Sequence, residues 1–404
     1  MKSGHLSAIN TMFDTTGLGK LVRGQSMQTI ATALESHGKI KKMLRYEEDQ
    51  EGCKTKTAQY IRFKNDTVVL YILFNEQMQI QQIHTGKAVE QPFYILKGYK
   101  GLAEVTDLST SFVSRDGVKL GASISFSDTS KKLPVVILVH GSGPNDRDET
   151  MGPNKCFRDL AQGLSQKGFA VFRYDKRTFA HTYDMKPRSD SMTIYTETMN
   201  DAVDAVRHIK TYTFIDTTRV YLVGHSQGAM CAPKIAELEP RLKAIVMMAG
   251  PTRSIVDIIP EQIEYLAGLD DSISTAEQMN ITAVKWMADK IKHPDAKAAT
   301  MPLMGANLYY WKSFMDYNQV ATAQSLKLPI LIMNGERDYQ VRMTEFDGWK
   351  QALKDHPNVS FKSYPELTHL FIEGSSKPGP ADYDIPRHIP QAVIDDIADF
   401  LKLH

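Results

Sequence analysis

Cysteine is scarce in this chain. Cys53, Cys156 and Cys231 are odd in number and scattered, so they form neither a disulfide framework nor the spacing of a metal-ligand cluster. Long apolar runs are also missing. None approaches the ~18 residues that a membrane-spanning helix needs, and a transmembrane segment is not expected. Charge of one sign is absent too: 48 Lys and Arg stand against 47 Asp and Glu, for a net charge of +1. With no basic stripe and no polybasic tract, nucleic acid and anionic membrane surfaces are not expected as partners. The opening residues Met1-Lys2-Ser3-Gly4-His5 lack the apolar core of a secretion signal. The expectation is a chain without such a signal, which leaves localisation open between the cytoplasm and export of a trimmed form.

What is present divides the 404 residues into two parts. Residues 1–105 read as a small α+β domain. Short helices are expected over Met12 to Leu21 and Ser26 to Leu34, then strands over Thr57 to Phe63, Thr67 to Phe74 and Met78 to His84, with turns at Asn65-Asp66 and Asn75-Glu76-Gln77. Residues 108–404 follow another rhythm. A hairpin around Arg115-Asp116-Gly117 is followed by strand-like and helix-like runs in alternation, which predicts a doubly wound, mostly parallel sheet. Val135 to Val139 is wholly apolar, as a central parallel strand buried on both faces must be. The alternation lapses over about 251–328, which carries helical patterns and no clear strand. A structureless loop of that length does not fit a compact domain, so a helical insertion over the strand ends is expected.

The chemistry centres on Gly224-His225-Ser226-Gln227-Gly228. An apolar run rich in β-branched residues ends at Gly224 and a helix-compatible run starts after Ser226. Gly-x-Ser-x-Gly in that setting is a nucleophile elbow, a strand-to-helix turn sharp enough to lift a serine Oγ clear of the sheet. A nucleophilic serine needs a base, and the base needs an acid to orient it. Asp338 follows the strand Pro329 to Met333 and is the candidate acid, with Glu336 the runner-up; His369, in the loop after Val359 to Tyr364, is the candidate base. His225 is next to the nucleophile and its side chain diverges from it. An oxyanion needs backbone donors. The N–H of Gln227 is one candidate, and the N–H of Ser142, in the loop His140-Gly141-Ser142-Gly143 after the buried strand, is the other, with Gly143 the alternative. The mixed cluster Asp146-Arg147-Asp148-Glu149 reads as ion pairs that brace this loop rather than as a metal site. No metal is expected.

These motifs, in this order over residues 110–404, resemble the α/β-hydrolase superfamily, and within it the bacterial esterase and serine-aminopeptidase-like hydrolases. Tyr174-Asp175-Lys176-Arg177 belongs to the resemblance, although the Gly that commonly follows the Arg is replaced by Thr178. Some members carry a small N-terminal domain, which residues 1–105 resemble. The resemblance implies a Ser226–Asp338–His369 triad, no cofactor and a helical cap. The leading expectation is hydrolysis of a small-molecule carboxylic ester through an acyl-enzyme. The alternatives are a serine peptidase or aminopeptidase, and a non-catalytic binding protein on the same scaffold. Among the aromatics of the insertion, Trp286, Tyr309 and Trp311 are the candidates to line a substrate pocket. A peptidase would need carboxylates for the substrate ammonium, and Glu261 and Glu264 share a helix face that could supply them. The Met-rich and aromatic insertion suits an apolar acyl or aryl group better. Oligomeric state is not legible.

Overall fold

The computed structural model describes residues 37–51, 54–64, 67–74, 79–87, 105–181 and 191–404. The helices expected before residue 37 and the two turns at 65–66 and 75–77 lie outside the described residues. The first part is an antiparallel sheet in the order β1-β2-β3-β4, made of β1 (Ile40–Glu51), β2 (Lys54–Phe63), β3 (Thr67–Phe74) and β4 (Ile80–Lys87). Alternation gives it two faces, with Ile61, Phe63 and Val68 clustered on one and Ala58, Tyr60 and Val69 on the other.

The larger part is an eight-stranded sheet. The hairpin of β5 (Thr106–Val113) and β6 (Lys119–Phe126) is its antiparallel edge. β7 (Leu133–Val139) and β10 (Ala170–Tyr174) pair in parallel, and β11 (Ile215–His225), β12 (Leu242–Met248), β13 (Ile330–Gly335) and β14 (Val359–Tyr364) continue in the same sense. Between β7 and β10, β8 (Thr150–Met151) and β9 (Asn154–Lys155) form a separate two-strand ribbon. Strand order is β14-β13-β12-β11-β7-β10-β6-β5. The pleat divides each apolar run between two cores: Val135, Ile137 and Val139 face one, Val136 and Leu138 the other.

Helices cover both faces. α1 (Cys156–Gln166) and α10 (Gln391–Lys402) pack on one; α10 turns Val393, Ile394, Ile397 and Leu401 inward at helical spacing. α3 (Asn200–His208) and α4 (Gln227–Leu238) pack on the other, with Cys231 wholly buried among them, while α9 (Met343–Ala352) follows β13 and adds Phe346 and Trp349 to the same core. The short α2 (Arg177–Ala180) follows β10. Between β12 and β13 lie four helices: α5 (Ile255–Ala267), α6 (Thr275–Lys292), α7 (Leu308–Met315) and α8 (Gln319–Ser325). Each has a polar N-cap, Ser254, Ser274, Asn307 and Asn318, whose side chain accepts a first-turn N–H; Ser274 and Glu277 form a reciprocal capping box. Among the described residues, no helix is long and apolar enough to cross a membrane.

Candidate active site

Ser226 stands between β11 and α4 with φ 52° and ψ −114°, a strained setting for a residue with a side chain. The turn is as tight as the flanking glycines demand. A Cβ on Gly224 would sit 2.4 Å from the Gly228 oxygen, and one on Gly228 would sit 2.1 Å from the Val139 oxygen. Gln227 opens α4, so its N–H is among those that have no acceptor within the helix.

His369 and Asp338 meet although 31 residues separate them. His369 Nδ1 donates to Asp338 Oδ2 at 2.6 Å. The other carboxylate oxygen accepts the N–H groups of Gln340 and Val341 at 2.7 and 2.8 Å, so Asp338 is held from both sides. With Nδ1 committed as donor, Nε2 is the basic nitrogen. Glu336 is directed elsewhere: it accepts from Ser363 at 2.8 Å on the exposed side. His225 turns away from its neighbour, and its Nε2 donates to the His369 carbonyl at 2.9 Å. Burial alone would push His225 down, yet Glu149, 3.1 Å from its Nδ1, and the His369 carbonyl raise its pKa.

The loop after β7 is fixed at Gly141, where a Cβ would meet the Ser226 Cβ at 3.2 Å. The Gly141 N–H donates to the buried Glu149 carboxylate at 2.6 Å, and its carbonyl accepts from the buried ammonium of Lys176 at 2.9 Å. Asn145 Nδ2 gathers the next carbonyls, with Ser142 O at 3.1 Å. Lys176 and Glu197 form a buried ion pair at 3.3 Å. Glu197 lies in a π-helical turn, Tyr195–Met199, of the kind often found at functional sites. It also accepts from Gln227 Nε2 at 3.0 Å and from the Tyr310 hydroxyl of the insertion at 2.6 Å. Burial would raise the Glu197 pKa, but Lys176, Tyr310 and Gln227 together lower it.

A pocket of about 370 Å³ opens onto Ser226 and Gln227, with Ser142 and Gly143 at its rim. Its roof comes from the insertion, through Ile258, Met304, Tyr310, Trp311 and Phe314 among others. Trp311 lines the pocket; Trp286 and Tyr309 do not. They stand 43% and 56% exposed; for Tyr309 the reason is that on α7, with aromatics at three successive positions, only one face can turn inward, whereas Trp286 sits on the exposed side of α6. Glu261 and Glu264 are likewise outside it, paired with Arg253 at 2.6 Å and Lys285 at 3.0 Å. Glu197 was missed from sequence, and the motifs and aromatic run that contain Lys176, Glu149 and Tyr310 did not show that these residues converge on the site. Lys176 carried a positional signal, since it lies just beyond the carboxyl end of the parallel strand β10. The acidic cluster after Gly143 is an ion-pair network: Arg147 binds Asp175 at 2.7 Å, and Asp148 holds both Arg173 and Lys155 at 3.0 Å. Among the described residues no metal-holding group of His, Cys, Asp or Glu is present.

A mostly parallel sheet with a strand–serine–helix elbow, a helical insertion over the strand ends and a His–Asp pair beyond β13 and β14 defines the α/β-hydrolase class. Residues 130–374 match the serine aminopeptidase family, S33, and the chain belongs to that family. It is 36% identical over 282 residues to "Esterase EstD" of Thermotoga maritima, a match that covers 70% of this chain and 65% of that protein. The match therefore spans just under two thirds of the relative's length. Among solved structures, the Pyrococcus furiosus esterase Pf2001 aligns with a TM-score of 0.48 at 16% identity, over 79% of this chain and 98% of that one. Est1E from Butyrivibrio proteoclasticus aligns with a TM-score of 0.47 at 17% identity, over 73% and 98%.

Proposed function

We propose that the chain is a serine hydrolase that cleaves carboxylic esters of small molecules through an acyl-enzyme. Ser226 Oγ attacks the ester carbonyl carbon as its proton passes to His369 Nε2, and Asp338 holds the imidazole in the required tautomer. The carbonyl oxygen becomes an oxyanion facing the N–H groups of Gln227 and Ser142. Collapse breaks the bond to the alkoxy oxygen, which leaves as the alcohol with the proton from His369. Water then repeats the sequence on the acyl-enzyme and releases the acid. The observation that carries the reading is the opening of one pocket onto a strained Ser226 whose sheet also presents a hydrogen-bonded His369–Asp338 pair.

Ester is favoured over peptide by what the pocket offers. Glu197 is the sole acidic residue among the described residues lining it, and its oxygens are occupied by Lys176, Tyr310 and Gln227. A substrate ammonium finds no carboxylate to pair with, whereas an acyl or aryl group finds an apolar roof at the small end of the usual ligand-pocket range. A relative named an esterase agrees with this. The family's description keeps the aminopeptidase reading as the second one. The test is a fluorophosphonate label together with kcat/KM for short-chain and aryl p-nitrophenyl esters and for matched aminoacyl p-nitroanilides. Ser226→Ala should abolish labelling and ester turnover in a folded protein. Full turnover in that variant, or a preference for the anilides, rejects the proposal.

A further inference from the structure

Two backbone segments would stabilise the oxyanion, the start of α4 and the loop after β7, and no covalent connection shorter than 80 residues joins them. Gly141 of the loop is held at its carbonyl by Lys176 at 2.9 Å. Gln227 of α4 is held at its side chain by Glu197 at 3.0 Å and by Thr198 at 3.0 Å. The ion pair between Lys176 and Glu197, with side chains 2% and 4% exposed, closes the bridge between the two segments. A third element joins at the same carboxylate, because Tyr310 of α7 donates its hydroxyl to it at 2.6 Å. Three elements of distant sequence, carrying Lys176, Gln227 and Tyr310, thus meet on one buried carboxylate that no hydrolytic step requires.

We propose that Glu197 and Lys176 are positioning residues that set the separation of the two oxyanion donors, and that Tyr310 links this setting to the seating of the helical insertion over the pocket. The proposal rests on the Ser226 acyl-enzyme reading. A substrate that seats α7 properly would be turned over with a correctly spaced oxyanion hole; one that pushes α7 outward would draw Tyr310 off Glu197 and bind without efficient chemistry. Selectivity among acyl groups then shows in kcat more than in KM, as expected for interactions that matter in the transition state.

The experiment uses the full chain with Glu197→Gln, Tyr310→Phe and the double variant, each checked by thermal melt. A trifluoromethyl ketone with a short alkyl chain serves as the oxyanion-forming inhibitor, and the corresponding secondary alcohol as the ground-state control. Losing one oxyanion donor typically lowers rate about 10²–10³-fold, so misplacing two should lower kcat about 10–100-fold. The ketone Ki should rise in proportion while KM and the affinity for the alcohol stay within about twofold. Tyr310→Phe should lose about 3–10-fold in kcat alone and almost nothing more in the Glu197→Gln background, because its effect runs through that carboxylate. If Glu197→Gln fails to fold, Tyr310→Phe decides by its own ketone Ki. Unchanged ketone affinity in the folded variants, or losses that simply add, overturns this proposal while Ser226-dependent turnover survives. Turnover that persists in Ser226→Ala overturns the underlying reading and this proposal together.

Discussion

His225 Nε2 donates to the backbone carbonyl of His369 at 2.9 Å, and the two rings lie 4.6 Å apart. The residue beside the candidate nucleophile therefore fixes the main chain of the candidate base. On its other side it faces Glu149, which in turn holds the Gly141 N–H. Replacing His225 by Asn withdraws this reach without adding bulk. We expect kcat on a p-nitrophenyl ester to fall about tenfold with KM within twofold, as a small displacement of a reacting group can cost that much. An unaltered kcat in the folded variant excludes a supporting role for His225.

His369→Ala and Asp338→Asn should each lower kcat by several powers of ten, and the double change should cost little more than the worse single one, since the groups act as a unit. Glu336→Gln should leave kcat within about twofold, because that carboxylate is exposed and bonded to Ser363. A severe loss in Glu336→Gln with a mild one in Asp338→Asn would show that the wrong acid has been chosen.

The outward salt bridges of Glu261 and Glu264 lead to a sharper separation of ester from peptide. The double variant Glu261→Gln, Glu264→Gln should leave the kcat/KM of both ester and aminoacyl anilide within about twofold. Exposed pairs of this kind also contribute little to stability, about 0–1 kcal/mol each. Selective loss of anilide turnover would mean that a substrate ammonium reaches them after all.

Burial pushes His140 down to about 4, and Lys176 adds to the effect while Glu149 and Asp146 oppose it. The ring packs between Phe157 and Tyr174, with centroids 5.2 Å away on each side. Between pH 4 and the ordinary histidine value near 6.5 it is neutral in the fold and protonated once unfolded. Unfolding takes up a proton in that window, so stability falls as pH drops through it, by at most about 1.4 kcal/mol per pH unit. His225, whose pKa is raised, is protonated in both states over most of this window and adds little slope there. Urea titrations at several pH values should give a shallower acid slope for His140→Phe than for the native chain. Equal slopes would remove His140 as the cause.

The parts of the fold that sequence made legible are those in which one local pattern suffices. β7, β10 and β14 are short runs bounded by polar turns, and α6 starts at a capping box and runs as expected to Lys292. Ser226, Asp338 and His369 could be nominated because each follows a strand, where a parallel sheet gathers its chemistry. β1, with its Lys- and Glu-rich sequence IKKMLRYEEDQE, shows no apolar alternation and was not expected as a strand; charge of this kind is common on edge strands. The meaning of Glu197 arises only when Lys176, Gln227 and Tyr310 converge on it, and no spacing along the chain encodes that. Tyr309-Tyr310-Trp311 gave three aromatics in a row, and only packing decides which of them turn inward.

The left-handed backbone of Ser226, with φ 52°, has a consequence for evolution in the laboratory. Glycine is at ease where serine is held under strain, a difference on the order of 1 kcal/mol. A library screened for heat resistance alone would therefore reward Ser226→Gly, and on the proposed mechanism those winners should lose ester turnover. The serine that the proposed chemistry needs thus stands, with Glu149, Ala249, Asp271, Met304 and Phe371, among the positive-φ positions that a purely thermal selection would tend to relax.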